Sequence, residues 1–229
     1  MKITNWKETI VTSFSMLVTG YLNAHTQVRM GTFVGPQTGN LANLGINLAR
    51  GNHEITIRNI LIFLGFILGC AFGTMIERKI KNERVFFFVA WSTLVVPMMI
   101  HLIFHQELPM LLSVSILSMV SGMALGFFRK IAHVDMNNLI VTGSMRNISM
   151  SGVDTFVHKD KKKLSTFAII ILGVFLFFLG AFLFGLAEQF GDASILVVGT
   201  ILAFIPYFFA PSLAQESIEE LPNNVLSHK

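Results

Sequence analysis

Residues 167–187 read FAIIILGVFLFFLGAFLFGLA, without one charged or amide side chain. An α-helix rises 1.5 Å per residue, so this run covers the roughly 30 Å of hydrocarbon in a bilayer. Three more runs have the same character, at 85–104, 108–128 and 193–210. Pro97 and Pro206 fall inside two of these runs, where proline kinks a membrane helix without ending it. Residues 60–76 read as a fifth span. Residues 10–27 read as a sixth, which carries more polar residues. The start resembles a signal peptide, with Lys2 and Lys7 before an apolar run, but no small-x-small cleavage site follows. An uncleaved first span is expected.

Composition agrees. Of 229 residues 53% are hydrophobic and 13% charged, and the mean hydropathy is +0.65. Soluble domains carry about 25% charged residues, so lipid is expected to cover part of this chain. The net charge of +4 comes from short basic runs between apolar segments, which is the pattern of cytoplasmic loops and excludes nucleic-acid binding. The single cysteine, Cys70, permits no intrachain disulfide.

The basic clusters Arg78–Lys79–Lys81–Arg84, Arg129–Lys130 and Lys159–Lys161–Lys162–Lys163 separate the spans. Placing all three in the cytoplasm gives six crossings with both termini inside, in a bacterial cytoplasmic (inner) membrane. Arg29, Arg50 and Arg58 then remain on the outer side. Two polar stretches, 31–50 and 131–158, are long enough to span but rich in Asn, Thr, Ser and Gly. They are expected to be broken or re-entrant segments. Counting them as full spans gives the alternative of eight helices, four in each half.

The halves repeat. Thr19-Gly20-Tyr21 matches Ser121-Gly122-Met123, and Thr38-Gly39-Asn40-Leu41 matches Thr142-Gly143-Ser144-Met145. A glycine-spaced span ending in an acid follows in each: Gly65, Gly69, Gly73, Glu77, then Gly173, Gly180, Gly185, Glu188. Three crossings per repeat insert the second half upside down, a transporter and channel design in which broken helices meet at a central site. The expected fold is therefore all-α, with two inverted three-helix repeats at 1–107 and 108–211. A polar cytoplasmic tail, 212–229, holds Glu216, Glu219 and Glu220.

Gly20-Tyr21-Leu22-Asn23-Ala24, with Phe33 and Thr38-Gly39-Asn40-Leu41, resembles the signature of the YoaK-like family of bacterial inner-membrane proteins, a domain of unknown function. Gly122 and Thr142-Gly143 match its second half, and the resemblance runs over roughly residues 8–212. Two positions depart from the pattern. Asn23 stands where the family usually has Asp, and Leu125 where it usually has Asn. The resemblance implies the membrane class and no particular activity.

The candidate site follows from the polar segments. Asn23, Gln37, Thr38, Gly39 and Asn40 in the first half, with Asn138, Thr142, Gly143 and Ser144 in the second, are expected to bind a small polar or anionic solute. Ionisable groups inside a membrane cost at least about 2.5 kcal/mol each unless paired or wetted. Arg129, His133, Asp135 and Arg146 are accordingly read as an ion pair or proton-coupling set, or else as headgroup anchors. His101 and His105, four apart with Glu107 nearby, have metal-compatible spacing but read as interfacial; no metal or cofactor is expected. Signatures of hydrolases, zincins and nucleotide sites are missing, so the chain reads as no enzyme. Without ATP machinery, transport would be passive or ion-coupled, and homo-oligomers are allowed. The alternative is a non-transport membrane interaction or sensory protein.

Overall fold

The computed structural model describes residues 6–104, 106–127, 130–131, 134–135 and 141–209. The helices are α1 (Trp6–Met30), α2 (Gln37–Ala49), α3 (His53–Lys79), α4 (Glu83–Phe104), α5 (Met110–Phe127), α6 (Val141–Phe156), α7 (Lys161–Glu188) and α8 (Asp192–Phe209). Two short strands, β1 (Lys130–Ile131) and β2 (Val134–Asp135), pair antiparallel between α5 and α6. The described chain is thus helical, with eight helices. Four of them, α3, α4, α5 and α7, are long and apolar enough to cross a membrane. The tail at 212–229 lies outside the described residues.

The polar stretches resolve into helices with irregular leads. Gly31, at φ +64°, ends α1 in a left-handed conformation that suits glycine, and residues 31–36 run without helix until Pro36 opens α2. Gly51, at φ +69°, closes α2, and the Asn52 side chain caps α3 by accepting from the Ile55 N–H at 3.4 Å. In chain order β1, β2 and then α6 follow α5, as 31–36 and α2 follow α1.

Glycines decide how the long helices meet. A Cβ at Gly69 would overlap the Met119 carbonyl oxygen, and one at Gly122 would overlap that of Phe66. Gly65 and Gly73 extend the contact, their built Cβ positions 2.8 Å from the Ser115 oxygen and 3.0 Å from that of Met123. The rising pairs 65–115, 69–119 and 73–123 make α3 and α5 run in the same direction. Between α1 and α7 the same crossing recurs: a Cβ at Gly20 would strike the Phe177 oxygen, and one at Gly180 that of Leu17. The correspondence holds residue for residue. Leu17 and Gly20 map onto Met119 and Gly122 at one constant step along the chain, and Phe66 and Gly69 map onto Phe177 and Gly180 at another. Small residues let helix backbones approach in lipid, where no hydrophobic force pushes helices together.

The ends are tied across helices. Arg58 of α3 donates to the Met30 carbonyl at the end of α1 (3.2 Å), and Arg29 pairs with Asp192 at the start of α8 (2.7 Å). The buried centre holds Tyr21, Trp91, Leu117 and Phe184. The Trp91 indole N–H donates to the Ala203 carbonyl at 2.7 Å and the Tyr21 hydroxyl to that of Ile195 at 2.5 Å. Outward faces carry Leu64, Leu68 and Phe72 of α3 and Phe175, Phe178 and Phe182 of α7, all exposed and suited to acyl chains.

Candidate solute site

Helix α1 carries a run of polar residues along one face. Thr12, Ser15, Thr19, Asn23 and Thr26 recur every three or four residues, which stacks them along one side of a helix, and all five are buried. A cavity of about 20 Å³, room for one water molecule, lies against this face. Its lining joins Val18, Thr19 and Leu22 of α1 to Val120, Ser121 and Ala124 of α5, with Trp91 and Met98 of α4 beside them. These two triplets are related by the step that relates Gly20 to Gly122. The cavity is thus bounded by corresponding residues of α1 and α5 and by four residues of α4, and its wall is almost wholly apolar.

Its hydroxyls differ in their bonding. Ser15 donates to the Thr12 carbonyl at 2.8 Å, and Thr19 to those of Ser15 (2.8 Å) and Met16 (3.0 Å). The Ser121 hydroxyl is buried and has no hydrogen-bond partner among the described residues. A buried hydroxyl without a partner loses its hydration for nothing, at about 1–3 kcal/mol.

Beyond the cavity, towards the C-terminal end of α1, side chains hold the irregular segment 31–36 inside the bundle. Asn23 accepts from the Gly35 N–H at 3.1 Å and donates to the Thr19 carbonyl at 2.9 Å. Asn40 donates to the Phe33 carbonyl at 2.6 Å and accepts from the Thr32 hydroxyl at 3.3 Å. Gln37 donates to the carbonyls of Val34 and Gly35, and Ser118 of α5 reaches Val34 and Ile62. Val34 itself is wholly buried. Non-helical backbone at membrane depth persists only where protein satisfies its N–H and C=O groups, which is what these four side chains do.

Next to this segment, His25 of α1 and His101 of α4 are buried with their Nε2 atoms 3.1 Å apart. Phe184 of α7 packs edge-on against the His25 ring. One turn further, Asp192 takes Arg29 on one oxygen and Gln106 on the other, at 3.4 Å.

Of the residues expected at a solute site, the structure gathers Asn23, Gln37 and Asn40 around 31–36. Thr38 and Gly39 face outward on α2, and nothing lies within 4 Å of a Cβ built at Gly39. Gly143 is equally open, Ser144 is buried and Arg146 is exposed. Arg129, His133 and Asn138 lie outside the described residues, as do the side chains of Asp135 and Thr142. Among the described residues no three His, Cys, Asp or Glu side chains converge as a metal site, and His105 is outside them. The His25–His101 contact was missed, because the spacing of His101 and His105 on one helix drew attention from a partner 76 residues away. The polar face of α1 was missed as well, although Thr12, Ser15, Thr19, Asn23 and Thr26 recur in the sequence at every third or fourth residue.

Residues 11–208 match the family model described as "Protein of unknown function (DUF1275)", and the chain belongs to that family. The YoaK-like resemblance is consistent with it. No curated protein and no solved structure matches the chain. The family and the four apolar helices fit an integral membrane protein.

Proposed function

For this member of a family of unknown function, we propose a passive or ion-coupled small-solute transporter or channel of the cytoplasmic membrane. Its polar site would lie between two inverted three-helix repeats. The observation that carries the reading is the cavity bounded by Val18, Thr19 and Leu22 on one side and their equivalents Val120, Ser121 and Ala124 on the other. In inverted-repeat transporters the site lies at the repeat interface, near the middle of the membrane.

Inversion is supported by direction. The end of α1 meets the start of α3 through Arg58 and Met30, so these two helices run oppositely. Since α5 runs with α3, the first helix of one half opposes the first helix of the other. Helices α1 and α8 count as the two further crossings in this reading. Helix α1 carries buried polar residues along one side, and α8 is apolar and as long as α5. With the basic connections inside, both termini are cytoplasmic.

The solute is small, polar or anionic, and no enzymatic chemistry is proposed. The cavity has room for no more than about one water molecule, so transport of a larger solute requires it to widen. The matched Thr19 and Ser121 replace the exposed Thr38-Gly39 and Gly143 as the centre of the site. Purified protein in liposomes, tested with a panel of small polar and anionic solutes, should give flux that Ser121→Leu abolishes while the thermal melt is retained. Flux indifferent to a side chain filling the cavity would reject this site. A panel with no flux at all would favour the interaction or sensory reading.

A further inference from the structure

One buried titratable cluster has no part in the cavity lining. His25 follows Leu22 by one turn on α1, and His101 follows Met98 by one turn on α4; Leu22 and Met98 both line the cavity. The two imidazoles therefore sit at the end of the cavity nearer the C-termini of α1 and α4, between it and the Arg29–Asp192 ion pair. We propose that His25 and His101 form a proton-binding site, taking up one proton as a unit, and that this proton is the coupling ion of the transporter.

The chemistry follows from the 3.1 Å separation of the Nε2 atoms. Each neutral imidazole carries one N–H. Only one proton fits between the two Nε2 atoms, so one ring donates and the other accepts there. The donor ring has a bare Nδ1 and the acceptor ring a protonated one. A first added proton goes to the bare Nδ1. It leaves the Nε2–H···Nε2 bond in place and makes it charge-assisted, hence stronger. A second proton has to enter the gap, where two N–H groups would then face each other without an acceptor. The second proton is therefore bound more weakly than the first, which is the behaviour of a site with one-proton stoichiometry.

Both imidazoles are buried, and the titratable groups on the helices around them are few. On α1, Tyr21 is bonded to the Ile195 carbonyl and Arg29 to Asp192 of α8. Helix α4 from Val85 to Phe104 and helix α5 carry no other titratable side chain. Helix α7 presents Phe184, with Glu188 exposed at its end. At the same end of the bundle, Arg58 of α3 is bonded to the Met30 carbonyl. Two Nε2 atoms at this distance could also share a metal ion, but no third His, Cys, Asp or Glu joins them among the described residues.

As a coupling site the pair rests on the transporter reading; as a proton site it does not. The test is a pH titration of the full chain, ¹⁵N-labelled at its seven histidines, in lipid nanodiscs with a chelator present. Two imidazoles should titrate together in two steps separated by at least about two pH units. In His101→Gln, whose amide can still bond His25, the His25 signal should collapse to one step. Seven independent single steps in the wild type would overturn the proposal. So would a profile that changes when the chelator is withdrawn and Zn²⁺ added, since the pair would then be a metal site. The titration needs no solute, so liposomes without flux would reject the transporter while leaving the two-step result standing.

Discussion

Helices α1 and α5 are equivalent in packing and unlike in chemistry. Each passes a glycine under the carbonyl of a phenylalanine, Gly20 under Phe177 and Gly122 under Phe66, and each lines one wall of the cavity. Further along, at the same step, Asn23 and His25 of α1 correspond to Leu125 and Phe127 of α5. The first half holds an irregular segment with amides and carries a histidine pair. The second half puts apolar side chains at both places. A repeat can keep its crossing geometry, which backbone contact dictates, while the side chains at equivalent positions diverge.

The largest effect should come from the shared part. Gly69→Leu and Gly180→Leu each force a side chain into a facing backbone that cannot yield, at a cost of about 3 kcal/mol or more. Thermal melting in detergent should show both variants losing the fold to a similar degree. Tolerance of one and collapse of the other would break the equivalence of the two crossings.

Making the first half resemble the second comes next. Asn23→Leu strips the Gly35 N–H of its acceptor and should cost about 2 kcal/mol, with new protease cleavage within 31–36. A melt unchanged from wild type would show that the amide does not hold this segment. Asn40→Ala removes the bond to the Phe33 carbonyl and should cost about 1 kcal/mol by the same measurement. The smallest effect, of opposite sign, is expected at the two Thr-Gly motifs. Gly39→Ala and Gly143→Ala sit on open faces within helices and should be neutral or stabilising by up to about 1 kcal/mol. A clear loss of stability at either would mean that its face is covered.

The difference between the halves also explains what could be read in advance. The apolar spans and the glycine ridge were legible, because partition into lipid and close helix approach depend on local composition. Helices α2 and α6 were expected as broken or re-entrant helical segments or as full helices of an eight-helix chain. Their contacts were not legible, since the partners of the polar residues are remote: Asn23 meets Gly35 across a chain reversal, and Ser118 reaches Val34 from another helix. His101 was read against His105, its neighbour on the helix, whereas its partner His25 comes from α1. Thr38 and Gly39 were expected to line a cavity because they interrupt apolar sequence, but an interruption carries no direction, and both face outward. For the second-half set the comparison stops early, as Arg129, His133 and Asn138 lie outside the described residues.

The central claim, two halves inserted oppositely around a shared site, is tested most directly by the sidedness of equivalent positions. His53 opens α3 and His158 precedes α7, both exposed. In a Cys70→Ser chain, His53→Cys should react with an impermeant thiol reagent added outside intact cells, and His158→Cys only after permeabilisation. Labelling of both from the same side would contradict the inverted repeat.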